Sequence, residues 1–98
     1  MRERDEITAQ IEAEIRRITA TLPTVRWYVF GSFLASDAVP SDIDLLAVHP
    51  SDVDSQLIRK EAAGLCAHLP IHLLIMNHDE QQQLDFVASQ HCERILPA

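Results

Sequence analysis

The first part of the chain carries apolar residues at helical spacing. They follow one another at steps of three or four residues, which places them on one stripe of an amphipathic helix over about residues 3–21. The stripe consists of Ile7, Ile11, Ile15, Ile18 and Leu22. Pro23 follows directly, and because proline cannot continue a helix, we expect the helix to end there.

Three later segments are rich in β-branched, aromatic and aliphatic residues, which is the composition of strands. They cover about residues 25–30, 43–48 and 71–76. The last is almost wholly apolar, so we expect it to lie centrally in a sheet or to be well covered. Gly31 and Ser32 end the first strand abruptly, and a short helix is predicted at residues 33–35.

Two further helices are predicted from their capping residues. The first covers about residues 51–68, with Ser51 as its N-cap and Asp54 completing a capping-box pattern. The second runs to about Cys92 and begins with another capping signature, Asn77 followed by Glu80. Its apolar side is expected to carry Leu84, Val87 and His91.

The resulting order, α-β-α-β-α-β-α, predicts one α/β domain that spans residues 1–98. We expect a small mixed β-sheet of about three to four strands with helices packed on it. The connection between the first two strands is short, which favours an antiparallel pair. The helix before the third strand permits a parallel crossover.

The charge of the chain limits the kinds of molecule that it can bind. The net charge is −7, and after residue 26 only three basic residues oppose ten acidic ones. A long nucleic acid is excluded as a partner, because binding one requires Lys and Arg to neutralise phosphates. No apolar run is long enough to span a membrane. We do not expect the charged start to act as a secretory signal. Cys66 and Cys92 are interpreted as reduced, buried thiols of a cytoplasmic protein.

The most informative stretch is Phe30-Gly31-Ser32, nine residues, and then Asp42-Ile43-Asp44. Residues two apart on a strand project to the same face, roughly 6.6 Å apart along the axis. Asp42 and Asp44 would therefore point together and repel each other unless a cation lies between them. Carboxylates suit Mg²⁺ or Mn²⁺ together with substrate phosphates. Gly31 permits close backbone approach to such a phosphate, and the Ser32 hydroxyl adds a donor.

The acidic pair has an internal control, because Pro40-Ser41-Asp42-Ile43-Asp44 is nearly repeated as Pro50-Ser51-Asp52-Val53-Asp54. The first copy continues into a strand and the second into a helix. Helix capping explains the acids of the second copy. It does not explain two acids on a strand.

This pattern resembles the signature of the DNA polymerase beta-like nucleotidyltransferase superfamily in its minimal, stand-alone form. The resemblance rests on Gly31, Ser32, Asp42 and Asp44, and on the order of elements. It implies that Asp42 and Asp44 bind two Mg²⁺ or Mn²⁺ ions and that Gly31 and Ser32 hold a nucleoside triphosphate. A nucleoside monophosphate then passes to a hydroxyl of a protein or small molecule.

Two departures from the family pattern are visible. Active members usually carry a third carboxylate on the third strand, where this chain has His72. Histidine can act as a general base or bind a metal, but Mg²⁺ prefers oxygen, and a lone strand histidine is usually a hydrogen-bonded core residue. The arginine that often follows the Gly-Ser pair is also absent. Arg59 and Lys60 are the nearest cations in sequence, although a solvated helix face explains them as well.

Two functions therefore compete. One is an active transferase, and the resemblance implies that such proteins often act beside a HEPN-domain partner as the antitoxin of a toxin–antitoxin pair. The other is a degenerate, non-catalytic module that binds a nucleotide or a partner, including a second copy of itself. A simple dimerisation domain is a third, weaker interpretation.

Overall fold

The computed structural model describes residues 2–31 and 42–95. Within them the chain forms α1 (Arg2–Thr21), β1 (Arg26–Phe30), β2 (Ile43–His49), α2 (Ser55–Glu61), α3 (Ala63–His68), β3 (Ile71–Asn77), α4 (His78–Leu84), α5 (Phe86–Ser89) and β4 (Glu93–Arg94). The predicted helix at residues 33–35 lies outside the described residues. None of the described helices is both long and apolar enough to cross a lipid bilayer.

The four strands form one mixed sheet in the order β3-β2-β1-β4. β1 pairs antiparallel with β2 and with β4, whereas β2 and β3 run parallel. The α/β class, the small mixed sheet and the directions of the first three strands are therefore confirmed. β2 is central, and its five residues from Leu45 to His49 are all buried.

One side of the sheet, which we call the α1 face, carries the larger core. Strand alternation sends Ile43, Leu45 and Ala47 of β2 to this side, where they meet the apolar stripe of α1. Ile15 and Ile18 of that stripe are 1% and 0% exposed. Ile58 of α2 and Leu65 of α3 complete the cluster, so both helices also pack on this face. The predicted stripe of the first helix is thus the main contact that holds this helix to the sheet.

The opposite side, which we call the Asp44 face, is covered by shorter elements. Leu46 and Val48 of β2 form a small cluster with Met76, and further partly buried apolar side chains pack against it. Those side chains are Tyr28, Phe30, Leu74, Phe86, Val87 and Cys92. Because α5 has only four residues, this face is protected less completely than the α1 face.

The predicted helix over residues 51–68 is divided and begins later than expected. Ser51 is not its N-cap, because Val53 N–H donates to Pro50 O at 3.1 Å and closes a turn there. Asp54 is the N-cap instead, and its side chain accepts from Gln56 N–H at 2.9 Å. Aspartate caps a helix as well as serine does, so sequence pattern alone could not choose between the two positions. A break at Ala62 separates α2 from α3.

The predicted helix from Asn77 to Cys92 is also wrong in its extent. Its start is confirmed: Asn77 and Glu80 form a capping box with bonds of 2.8 and 2.9 Å. α4 ends at Leu84 because Asp85 adopts the left-handed region, with φ of 49°. Leu84 is therefore 60% exposed rather than on a buried side. The chain then forms α5 and β4, a strand that the sequence did not predict.

Two further expectations about burial are corrected. β3 is an edge strand rather than a central one, and most of its apolar side chains are half-buried. Cys66 is exposed and Cys92 is half-buried, although both are free thiols as expected. Partial burial raises the pKa of the Cys92 thiol, because a thiolate is poorly solvated away from water.

Candidate functional site

One end of the Asp44 face is polar. Phe30, Asp44 and His72 lie in one row across β1, β2 and β3, since Asp44 has Phe30 and His72 as its partners in the two ladders. The next row contains Tyr28, Leu46 and Leu74, which are apolar or aromatic. The Asp44 side chain is therefore an acid on a buried central strand, at the point where the apolar cover of this face ends.

The Asp44 carboxylate is held from one side by His72. His72 Nδ1 lies 3.2 Å from Asp44 Oδ1, and the side chains of His72 and Asp44 are 75% and 25% exposed. The interpretation of His72 as a core histidine is therefore wrong, because a core residue would be buried. Within the described part of the chain, His72 is the polar side chain that contacts Asp44.

Gly31 lies against the other side of the same carboxylate. Its φ is +76°, a conformation that residues with a Cβ rarely adopt. A Cβ placed on Gly31 would collide with Asp44 Oδ2 and come within 3.3 Å of Asp44 Cγ. Glycine is thus required here for two independent reasons. The bend after β1 and the carboxylate on β2 are in direct contact.

The structure gives less information about Asp42 and Ser32, the other predicted site residues. Asp42 lies immediately before β2 and is exposed. The hydrogen bond from Ile43 N–H to Pro70 O, at 2.9 Å, fixes the chain next to it. Continued strand alternation predicts that Asp42 projects to the same side as Asp44. Ser32 lies outside the described residues.

The wall of this polar end on the β1 side is aromatic. Phe30 neighbours Asp44 in the row, and the ring of Phe86 packs edge-on against it, with centroids 5.1 Å apart and an interplanar angle of 88°. Both rings are half-buried. They are therefore apolar neighbours of Asp44 on the β1 side.

The cations suggested by the sequence do not lie on this face. Arg59 and Lys60 are in the last turn of α2, which packs on the α1 face through Ile58. Arg94, which the sequence did not suggest, is opposite Tyr28 in the β1–β4 ladder and so projects to the Asp44 face. It was missed because a two-residue strand has no periodicity to detect. In the sheet, β1 lies between the strand of Arg94 and the strand of Asp44.

A groove of about 450 Å³ lies at the opposite end of the same face. Arg26, Tyr28 and Val48 line it together with the first residues of α4. None of the predicted site residues contributes to it, so the concavity and the acidic end are separate features.

The donor set at Asp44 limits how a metal ion can be held. Within residues 2–31 and 42–95, no group of three or more His, Cys, Asp and Glu side chains is arranged to hold a metal ion. A closed, protein-only metal site is therefore not formed by these residues. Mg²⁺, however, is commonly held by one or two carboxylates together with waters and the phosphates of a substrate. Asp44 and the exposed Asp42 next to it in sequence are carboxylates, the donor type that such an ion takes.

Comparison with known proteins gives a family but no chemistry. The model of the DUF6932 family, a family of unknown function, matches residues 1–94 of the chain. No curated protein and no solved structure matches it. The matched range includes every element of the fold and all the residues discussed at the polar end.

Proposed function

We propose that this chain, which belongs to the DUF6932 family, is a cytoplasmic, metal-dependent nucleotidyltransferase. In this proposal a hydroxyl oxygen of a protein or small molecule attacks the α-phosphorus of a nucleoside triphosphate. A new O–P bond forms, the bond to the β-phosphate oxygen breaks, and pyrophosphate leaves. The hydroxyl proton is released to water.

The observation that carries the proposal is the contact between Gly31 and the Asp44 carboxylate. A bend without a side chain permits a phosphate to approach the backbone, and here the bend meets an acid on the neighbouring strand. An acid beside a phosphate-binding turn is unfavourable unless a cation lies between the two anions. The juxtaposition therefore favours a site for a metal-bound phosphate over a purely structural role.

The residues of the chain have distinct roles in this proposal. Asp44 and Asp42 would hold Mg²⁺ or Mn²⁺, and such an ion would neutralise charge on the phosphates and on the leaving group. His72 holds Asp44 Oδ1 and so fixes the direction of the carboxylate. Gly31 leaves Asp44 Oδ2 uncovered by a side chain. The family resemblance implies that the Ser32 hydroxyl would donate to the phosphates.

A protein partner would supply what this site lacks. The polar end has no arginine or lysine among the residues that the structure describes there, and the family resemblance implies a HEPN-type partner. Arginines from such a partner would neutralise the triphosphate and bring the hydroxyl acceptor at the same time. We therefore favour a protein side chain of a toxin-like partner as the acceptor.

The proposal is tested by transfer of a labelled nucleotide. The protein is incubated with Mg²⁺, α-labelled nucleoside triphosphates and any neighbouring gene product, for which the resemblance implies a HEPN-domain protein. We expect label on the partner with the wild type and with Asp54→Asn, and none with Asp44→Asn. Asp54→Asn is a matched control, since asparagine and aspartate cap helices equally well. Equal labelling by Asp44→Asn would refute the mechanism.

A non-catalytic nucleotide-binding module is the second candidate. It is favoured by His72, which occupies the place where a third carboxylate would complete the metal site. Calorimetry with ATP, in the presence and absence of Mg²⁺, separates the two functions. Tight binding without release of pyrophosphate supports the module, whereas binding with turnover supports the transferase.

A further inference from the structure

β3 is an unusual strand for the edge of a sheet. Its seven residues, Ile71–Asn77, include no Lys, Arg, Asp, Glu or Pro. Ile71, Leu73, Leu74 and Ile75 are only half-buried, whereas their ladder partners on β2 are fully buried. Edge strands usually carry charges, prolines or bulges that prevent pairing with another chain. An apolar edge without these features is suited to pairing.

The direction of the backbone groups of β3 follows from one hydrogen bond. Ile43 N–H donates to Pro70 O, and β2 and β3 pair in parallel with Ile43 opposite Ile71. In a parallel ladder, alternate residues of a strand direct both N–H and C=O to the same neighbour. The even-numbered residues of β3 therefore bond to β2, and the odd-numbered ones direct their groups away from the sheet.

Two of the four outward N–H groups already have partners. Ile71 N–H donates to Leu69 O at 2.8 Å, and Asn77 N–H donates to the Glu80 side chain at 2.9 Å. The outward N–H groups of Leu73 and Ile75 have no acceptor within the described part of the chain. The unsatisfied donors are thus placed symmetrically on either side of Leu74.

We propose that β3 pairs antiparallel with β3 of a second copy of this chain, about a two-fold axis at Leu74. Such an axis places Leu73 opposite Ile75 of the partner, and each of these pairs exchanges two N–H···O=C bonds. Leu74 faces its own counterpart in the position without hydrogen bonds. The sheets of the two copies join into one continuous sheet.

The side chains along β3 are compatible with pairing to themselves. The two-fold axis places Leu73 beside Ile75 of the partner on the α1 face, and His72 beside Met76 on the Asp44 face. No acid is opposite an acid, although the chain as a whole carries a net charge of −7. An unrelated strand could use the same backbone groups. The symmetric distribution of free donors about one residue favours a second copy, because a two-fold interface requires a self-complementary surface.

The proposal does not depend on the nucleotidyltransferase activity. It concerns the edge beyond His72, and it holds whether or not Asp44 binds a metal. The joined sheet would place the two polar ends on the same face, each beside the partner's β3.

Sedimentation of the wild-type protein is the first test. We expect a reversible dimer whose fraction rises with concentration, and a monomer throughout the accessible range would overturn the proposal. The second test uses a cysteine at the two-fold axis, in a background with Cys66→Ser and Cys92→Ser. Facing residues at positions without hydrogen bonds have Cα atoms about 4.5 Å apart, within the range of a disulfide.

Leu74→Cys should therefore form a disulfide-linked dimer rapidly under mild oxidation. Leu57→Cys is the matched control, because Leu57 is an exposed leucine on α2 and does not belong to the edge strand. Cross-linking of Leu74→Cys at the rate of Leu57→Cys would contradict the placement of the axis, even if sedimentation shows a dimer.

Opposite charges at the same position provide a third test. Leu74→Lys and Leu74→Glu should each be monomeric, because like charges would face each other across the axis. An equimolar mixture of the two proteins should recover the dimer. Recovery also shows that both variants are folded, whereas a mixture that remains monomeric while circular dichroism shows folded chains would refute the pairing.

Discussion

Two nearly identical segments of this chain have different structural roles. Pro40-Ser41-Asp42-Ile43-Asp44 and Pro50-Ser51-Asp52-Val53-Asp54 differ at one position, Ile43 against Val53. The last acid of the first segment lies on the central strand, in contact with Gly31 and His72. The last acid of the second segment caps α2 through Gln56 N–H. The role of each acid is set by the residues that follow it and by its neighbours in the fold.

The difference separates an acid with a local structural role from one without. Asp54 satisfies a backbone donor that would otherwise lack a partner, so its presence is explained by stability. Asp44 satisfies no backbone donor among the described residues, and its partner His72 is exposed. Surface pairs of this kind contribute about 0–1 kcal/mol, which is little reason to place an acid on a central strand.

The largest effect on activity is expected from Asp44→Asn, compared with the same substitution made separately at Asp54. Asp44→Asn should lower nucleotide transfer at least about a hundredfold, equivalent to about 2.7 kcal/mol, because the charge that holds the metal is removed. Asp54→Asn should leave the rate unchanged. Both rates are measured with labelled nucleoside triphosphate under saturating Mg²⁺. Similar losses in the two variants would remove the distinction between the segments.

The two glycines of the chain provide the next comparison. Gly31→Ala should lower the free energy of unfolding by about 1–2 kcal/mol from the left-handed backbone alone, and should also displace the Asp44 carboxylate. Gly64 lies in α3 with nothing within 4 Å of an added Cβ. Gly64→Ala should therefore stabilise the protein by about 0.5–1 kcal/mol. Urea denaturation of both variants measures the contrast, and equal shifts would contradict the geometry at Gly31.

A smaller effect is expected from removal of the helix cap. Asp54→Ala should lower stability by about 1 kcal/mol, since Gln56 N–H loses its acceptor. Asp52 is exposed in the preceding turn, and Asp52→Ala should change stability by less than about 0.5 kcal/mol. Thermal denaturation of the pair tests whether Asp54, rather than its neighbour, is the cap. A larger loss from Asp52→Ala would show that the helix begins earlier in solution.

The smallest change in stability is expected at His72. Because its side chain is 75% exposed, His72→Ala should alter the free energy of unfolding by less than about 1 kcal/mol. If His72 only fixes the direction of the Asp44 carboxylate, the variant should bind Mg²⁺-nucleotide more weakly while it remains folded. Calorimetry and urea denaturation of the same preparation separate the two effects. A large loss of stability would instead assign His72 a structural role.

Strong periodicity made much of the fold predictable. The stripe from Ile7 to Leu22 and the β-branched runs of the first three strands each signal one type of element, and all of them formed close to the predicted bounds. The short connection after β1 and the helical one after β2 also predicted the strand directions correctly. These features depend on local sequence and chain length, which a single sequence contains.

Other features depend on competition that local sequence does not resolve. Ser51 and Asp54 are equally suitable N-caps, and the turn closed by Val53 N–H decides between them. The left-handed Asp85 and the two-residue β4 have no periodic pattern. The apolar composition of β3 predicted a central strand, although strand order is set by tertiary pairing. At the site, the spacing suggested that Gly31 and Asp44 are neighbours, but only the fold shows that His72 contacts the same carboxylate.

Whether Asp44 holds a divalent cation beside Gly31 is decided by the binding of a nucleoside triphosphate. The measurement is a calorimetric titration of the wild type, Asp44→Asn and Asp54→Asn with ATP, each in the presence and absence of Mg²⁺. We expect binding that requires Mg²⁺, that is lost in Asp44→Asn and that is retained in Asp54→Asn. Binding by Asp44→Asn with the affinity of the wild type would contradict it.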